Sequence, residues 1–503
     1  MPSSSHLLHD PIFRWELSPG VRQSGSLPEI LALLSTRDIA SFDGLQAHQE
    51  HPWFAFLAQV AAMATQRAKL SAPPDDATRW RALLIDLAGG DADAWALYRA
   101  ELDRPAFLQP PVPEGTVANF KTTYSTPDAL DVLLTAKNHD VKSSRARHGG
   151  ADLWAYALIS LQTMQGYSGR GNYGILRMNG GLGNRPVVAR VPNVSWGERF
   201  RRDVRLLLGQ HDAIAKQLYC AEGQGIALLW LEPWSGEDSA ELSALDPWFI
   251  EICRRVRVVE RGGALCALAA PTTAPRVAGG QLSGMTGDPW TPISKEGRSL
   301  TLGGGGFTYE LVHKLILGGD YQDSLAMQQS GDLYASALVR GQGVTEGFHE
   351  RYLPIPPKRR AAFARPDERE RIGGISGERI NAVKKVRNSV LRPAIKALLN
   401  GGALDTGARQ DKRPDRWVNA FERSIDDIFF PSLWAAADMA DPEERDRVWE
   451  RLLFERAYHQ LMAAVASAPI PEARRYQARA AAEQIFRGSF HKNFPNYAQE
   501  TPE

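Results

Sequence analysis

Of the 503 residues, 43% are hydrophobic and 23% are charged. This is ordinary globular composition, and it excludes a disordered chain, a collagen or a coiled-coil rod. With 59 basic and 58 acidic side chains the formal net charge is only +1, so bulk charge points to neither nucleic acid nor a membrane.

The first hundred residues read as mostly helical. Leu27 to Leu34 opens a helix with Pro28 early, where a missing N–H costs little. Phe54 to Leu70 carries Phe56, Leu57, Val60, Ala61 and Ala64 at helical spacing, and His48 to His51 reads as the start of a helix. Trp80–Leu87 and Ala94–Leu102 are two more expected helices, split by Gly89 and Gly90. Pro105 to Pro113 is proline-rich and not helical. Ala129–Ala136 is a short expected helix, followed by a polar, basic loop from Lys137 to Gly150. Leu153–Met164 is an apolar helix.

The segment from Gly166 to Gly183 holds seven glycines, at 166, 169, 171, 174, 180, 181 and 183. Such density cannot be a regular helix and suits a loop whose backbone approaches something closely. Val187–Val191, Ile226–Trp230, Cys266–Ala269 and Ser299–Leu302 are expected strands. From about residue 370 four long amphipathic segments follow one another: a stripe through Ile380, Val383, Val390, Leu391 and Ile395, then Trp417–Ala437, Pro442–Ala466 and Glu472–Arg487. The expected fold class is therefore α+β: an irregular mixed N-terminal domain, 1–365, and a C-terminal four-helix bundle, 366–503.

Three scattered cysteines, Cys220, Cys253 and Cys266, form no CxxC pair and fit a reducing compartment. No signal peptide and no apolar run near the ~20 residues of a spanning helix is visible, so a soluble cytoplasmic protein without a membrane partner is expected. Gly169 to Gly174 matches GxGxxG, yet a helix precedes it and more glycines follow, which is not a dinucleotide site. A flexible loop and a close-contact loop for a polyanion both remain open. His139-Asp140 and His211-Asp212 resemble the dyad of metal-dependent phosphohydrolases without the further spaced ligands. Asp426-Asp427 reads as a solvated face or an ion-pair site. There is no Walker A lysine, GxSxG or HExxH, so no catalytic residue, metal or cofactor is assigned.

Local charge is more informative. Between Arg340 and Arg416 there are 18 basic and nine acidic side chains, a net of +9 that leaves −8 for the remainder. Segregation of this kind is what a phosphate-binding face produces, although basic helix faces are often simply solvated.

These residues, in order, resemble the CasA family, the large subunit of the type I-E Cascade surveillance complex of CRISPR defence. The resemblance is carried by His6 to Pro11 with Phe13 and Trp15, by Arg104 to Pro110, by Asp131 to Gly150, by the glycine loop Gly171 to Pro186, by Asp288 to Ile293 and by Gly341 to Arg351. The cysteine-rich insertion of some members is absent, so no metal is carried over. The resemblance implies a non-catalytic subunit that works with CRISPR RNA, with the backbone and small subunits, with double-stranded target DNA and with a helicase-nuclease. It implies recognition of a short flanking motif, the PAM, from the minor groove, then wedging of the duplex to start the R-loop. By position the PAM loop is Gly171, Asn172, Gly174, Gly180 and Gly181. The wedge is Gln342, Gly343, Val344 and Thr345. A phosphate- or guide-contacting loop holds Asn138, Lys142, Arg145 and Arg147. The bundle offers Lys384, Lys385, Arg387 and Lys396 to the displaced strand. The alternatives are a phosphohydrolase built on an HD dyad and a helical scaffold that binds protein only.

Overall fold

A computed structural model describes residues 5–131, 149–181, 183–192, 195–221, 224–341, 344–363, 365–403 and 411–498. The chain divides into two compact units, Met1–Phe307 with Asp320–Pro354, and Thr308–Gly319 with Ile355–Glu503. Among the described residues no helix is long and apolar enough to cross a membrane.

The first unit is built on two buried helices, Ala47–Arg67 and Ala151–Met164. The first of them is capped by Gln46, whose backbone N–H donates to the Gln49 side chain at 3.1 Å. Every side chain from Trp53 to Thr65 is buried, so this helix is apolar nearly all round, as a central core helix must be. Trp53 stacks on Phe13 at 5.0 Å and meets Tyr156 edge-on at 5.3 Å, which joins both helices to the N-terminal strand.

Small sheets surround this core. Phe13–Glu16 pairs antiparallel with Arg22–Gly25 and Ser41–Phe42. Ala264–Ala270 lies between Thr122–Tyr124 and Arg255–Arg261. The longest ladder is a hairpin of Asp332–Gly341 and Val344–Leu353, with Val187–Val191 on its other side. The mixed architecture and the helical C-terminal region agree with the expected fold class.

Some local expectations fail. Ala94–Leu102 is not a helix; only a 3-10 turn, Ala92–Trp95, forms there. Ala96 is instead extended and bridges His6, and Trp95 is buried, so tertiary pairing overrides helix propensity. Ser299–Leu302 is not a strand; Ser299 alone makes a bridge, to Ile293, before a run of glycines. Ile226–Trp230 is a strand only to Leu228 and then turns. The expected helix Ala129–Ala136 is not among these failures: a helical turn, Pro127–Leu130, covers its start, and residues 132–136 lie outside the described residues.

The second unit contains the four long helical segments. Pro366–Lys385 continues through a π-type turn, Val386–Leu391, into Arg392–Leu399. Pro393 follows that turn, and its missing N–H is a physical reason for the locally widened helix. Asp415–Ala436, Pro442–Ser467 and Glu472–Asn493 complete the bundle. The last two bury Leu453, Ala457 and Leu461 and Ala478, Ala482, Phe486 and Phe490, one residue per turn. Asp426 is half-buried and its carboxylate accepts the Tyr309 N–H at 2.6 Å, at the start of Tyr309–Ile316, while Asp427 is exposed.

Two buried histidines have opposite electrostatics. Burial, then the charges of Arg199 and Arg185, holds His51 well below the usual imidazole range. Burial also opposes charge on His211, but the hydrogen bond and charge of Asp246, then those of Asp212, outweigh it and raise its pKa. The unfolded chain protonates His51 near pH 6.5 and the folded chain does not, so this contribution is lost as pH falls below that value. His211 behaves in the reverse sense: its contribution is present below pH ~6.5 and is lost as pH rises through the folded pKa. Urea midpoints measured from pH 5 to 8 are therefore expected to show the deficit of His51→Gln shrinking toward acid and that of His211→Gln growing. Each slope is at most about 1.4 kcal/mol per pH unit.

Candidate nucleic-acid interface

The glycine loop leaves the buried Ala151–Met164 helix and returns to the Val187–Val191 strand. Its two ends are clasped: Gly166 N donates to Gly183 O at 2.8 Å and Asn184 N donates to Leu338 O in the hairpin at 3.3 Å. Arg254 organises the first half from inside. Its guanidinium donates to the carbonyls of Tyr173 and Gly166, to Gln165 Oε1 and to Ser168 Oγ.

The second half is latched by buried ion pairs. Arg177 Nη1 meets Glu251 Oε2 at 3.0 Å, and Glu251 also accepts the Leu176 N–H. Arg185 Nη2 lies 2.6 Å from Asp288 Oδ2, an ion pair without the angle of a hydrogen bond. Burial pushes the Glu251 carboxyl up, against the pull of Arg177 and the Leu176 amide.

Within this frame the five candidate loop residues differ. A side chain on Gly171, at φ +80°, would meet Pro271 Cβ at 2.7 Å, and Gly171 O accepts from Thr272 N at 3.0 Å. On Gly174 it would meet the backbone of Gly166 and Tyr167 at 2.5 Å. Both glycines therefore serve the loop's own packing. Gly180 is exposed at φ +80° with nothing within 4 Å of a Cβ. Gly181 donates to Asn179 Oδ1 at 2.9 Å beside it. Asn172 closes a turn through Gly169 O at 2.9 Å and lines a cleft described below.

The wedge candidates fall at the hairpin's end. Gly341 pairs with Val344 and Arg340 with Thr345, after a register shift at Val339. A shift there increases local twist and re-aims the tip. Gln342 and Gly343 lie outside the described residues, as do Asn138, Lys142, Arg145 and Arg147.

The glycine loop and the hairpin end border one cleft of about 760 Å³. The Thr122–Tyr124 strand and the Ala269–Pro271 segment form its other wall, and its charged lining residues are Lys121, Arg170, Arg254 and Arg340. None of these four was singled out for a site on sequence grounds. Arg340 had a signal, its place one residue before the glycine of the tip. Arg254 had none, because its partners are carbonyls some 80 residues away.

The bundle candidates are largely engaged within their own unit. Lys384 Nζ lies 3.2 Å from Glu310, and Arg387 Nη1 lies 2.6 Å from Glu422. Lys385 Nζ donates to Asn493 O at 3.3 Å, and Lys396 is half-buried. His211, the described HD histidine, is buried, with Asp212 at 3.0 Å and Asp246 at 3.3 Å on its two nitrogens. Among the described residues no group of three or more His, Cys, Asp or Glu could hold a metal ion. His139-Asp140 lies outside them.

No protein-family model matches the sequence, and no curated protein matches it. Solved structures do. Thermobifida fusca Cse1 superposes with a TM-score of 0.63 over 98% of both chains, at 13% identity. Thermus thermophilus CasA (Cse1) matches at 0.56 over 97% of this chain and 100% of its own, at 14% identity. A chain of a CRISPR RNA-guided surveillance complex matches at 0.59 over 97% and 100%, at 13% identity. The fold is that of Cse1. The likeness spans both chains from end to end at 13–14% identity.

Proposed function

We propose that this chain is a member of the Cse1/CasA family and acts as the non-catalytic large subunit of a type I-E Cascade complex. In this reading residues 1–365 recognise the PAM in double-stranded DNA and 366–503 contact the small subunits and the displaced strand. CRISPR RNA supplies sequence recognition by pairing, and a separate helicase-nuclease, docked on this subunit, supplies the chemistry. The observation that carries the reading is the meeting of the glycine loop and the hairpin end at one cleft, where every charged lining residue among those described is basic. In this reading Gly180 and Gly181 enter a narrow minor groove, which is supported by the internal packing of Gly171 and Gly174. In this reading the hairpin end, with Val344 and Thr345, unstacks the step beside the PAM, which costs a few kcal/mol. Of the bundle residues, the ion pairs of Lys384 and Arg387 leave them weaker candidates for the strand than the charge count suggested.

The test is co-expression with the neighbouring genes. The purified complex is expected to contain RNA and to bind duplexes that share one target but differ in the flanking trinucleotide with different affinities. Equal binding to every flank would sink the PAM role. Stoichiometric transition metal together with phosphodiester turnover would favour the phosphohydrolase, and no affinity for DNA at any salt would leave the protein-only scaffold.

A further inference from the structure

The cleft between the glycine loop and the hairpin end has an unbalanced charge. Arg254 is 7% exposed, and its two Nη atoms donate to carbonyl and side-chain oxygens, none of them a carboxylate. Arg340 stands close by at the end of its strand. Its Nε is buried and donates no hydrogen bond. Burial, then the charge of Arg254, lowers its pKa to about 10 against the opposing charge of Asp131, which is itself held by His48 and Gln49, and Arg340 is still a cation at neutral pH. Lys121 and Arg170 are exposed at the rim, and among the described residues no acidic side chain lines the cleft.

Two neighbouring guanidinium ions away from water are costly unless an anion sits between or beside them. Arginine matches the oxygens of a phosphodiester, and Arg340 lines this cleft. The same rim also carries Tyr167, an exposed aromatic with its ring 6.3 Å from that of Tyr173. An exposed aromatic beside a phosphate site is the pairing of groups used by proteins that hold single strands, where an unstacked base lies on the ring. The volume, about 760 Å³, falls within the range of small-molecule sites and has room for a nucleotide.

We propose that this cleft seats one nucleotide of an unpaired strand, its phosphodiester on Arg340 and its base on Tyr167, with Arg254 as the positioning residue that holds the glycine-loop wall. The proposal rests on the reading of this chain as a nucleic-acid-binding subunit and goes beyond it in placing a single-strand site apart from the Gly180–Gly181 tip. Lys121 and Arg170 steer the backbone at the mouth of the cleft.

The experiment uses the full chain and a short single strand carrying one 2-aminopurine, prepared once as DNA and once as RNA. Affinity is read by anisotropy across a salt series, and stacking by fluorescence quenching. Arg340→Gln is expected to weaken binding about tenfold and to flatten the salt slope by about 0.7, the share of one phosphate on a single strand. Tyr167→Ala is expected to lose about tenfold and the quenching, while Tyr167→Phe keeps both. Tyr167 is on the surface, so its variants keep the test sound if Arg340→Gln lowers the melting temperature. Weakening in the DNA arm, the RNA arm or both supports the proposal and identifies the strand. Unchanged affinity and slope in both arms for Arg340→Gln and for Tyr167→Ala overturns it, as does wild-type chain that binds neither strand. Flank-dependent duplex binding by the assembled complex would in those cases leave the PAM reading standing.

Discussion

Glu251→Ala is expected to destabilise the N-terminal unit by about 3–5 kcal/mol, the loss typical of one partner removed from a buried ion pair. The variant leaves Arg177 buried without its 3.0 Å carboxylate and the Leu176 N–H without an acceptor. Arg177 keeps the Phe249 carbonyl at 3.1 Å and the Phe249 ring beneath it, but neither carries a negative charge. Asp288 Oδ2 already stands 3.7 Å from Arg177 Nε, but it is shared with Arg185 and its other oxygen accepts the amides of Trp290 and Thr291, so it offsets only part of the loss. The functional consequence follows from the place of the latch. Leu176 and Arg177 lie directly before the Met178–Gly183 stretch, so loosening them releases Gly180 and Gly181 before it affects the bundle. Urea unfolding followed by tryptophan fluorescence checks the magnitude. Arg177→Met with Glu251→Met removes both charges and is expected to recover most of the loss, because an apolar pair of similar volume does not strand an ion. A double variant as unstable as the single one would show that the carboxylate acts through shape rather than charge.

The legibility of this sequence depended on whether a signal was local. The C-terminal helices could be read because Ala478, Ala482, Phe486 and Phe490 repeat a single buried face with helical period. The hairpin of Asp332–Gly341 and Val344–Leu353 could not, because its first strand is buried on both faces from Asp332 to Val339 and shows no alternation. The Trp196–Leu218 helix carried a readable stripe, Phe200, Val204, Leu207, His211, Ile214 and Leu218. His211 sits within that buried face and, beside Asp212, mimics a ligand of an HD pair, which hides the stripe. At the site, glycine density correctly marked the loop, but no composition rule separates a glycine packed on backbone from one at an open tip. The cleft was invisible for a related reason: Lys121, Arg170, Arg254 and Arg340 come from four distant stretches that only the tertiary fold assembles.

That division among the glycines has the second large consequence. Gly174→Ala places a Cβ 2.5 Å from the backbone of Gly166 and Tyr167, where no flexible side chain can yield. Overpacking of this kind is expected to cost about 3 kcal/mol and to pull apart the clasp between Gly166 and Gly183. Gly180→Met meets nothing, so its cost is the left-handed backbone alone, about 1–2 kcal/mol, and the unit stays folded. The two variants should therefore separate in opposite readouts. Gly174→Ala lowers the melting temperature, and whatever duplex discrimination it loses returns on cooling as the fold recovers. Gly180→Met melts near wild type but loses tenfold or more of the discrimination between flanking trinucleotides, about the 1–3 kcal/mol that one base-pair contact is worth. It should lose this at every temperature, because a methionine side chain at an exposed tip obstructs a narrow groove whatever the state of the rest of the loop. Full discrimination by folded Gly180→Met would reduce the tip to a turn and move base recognition to the hairpin end.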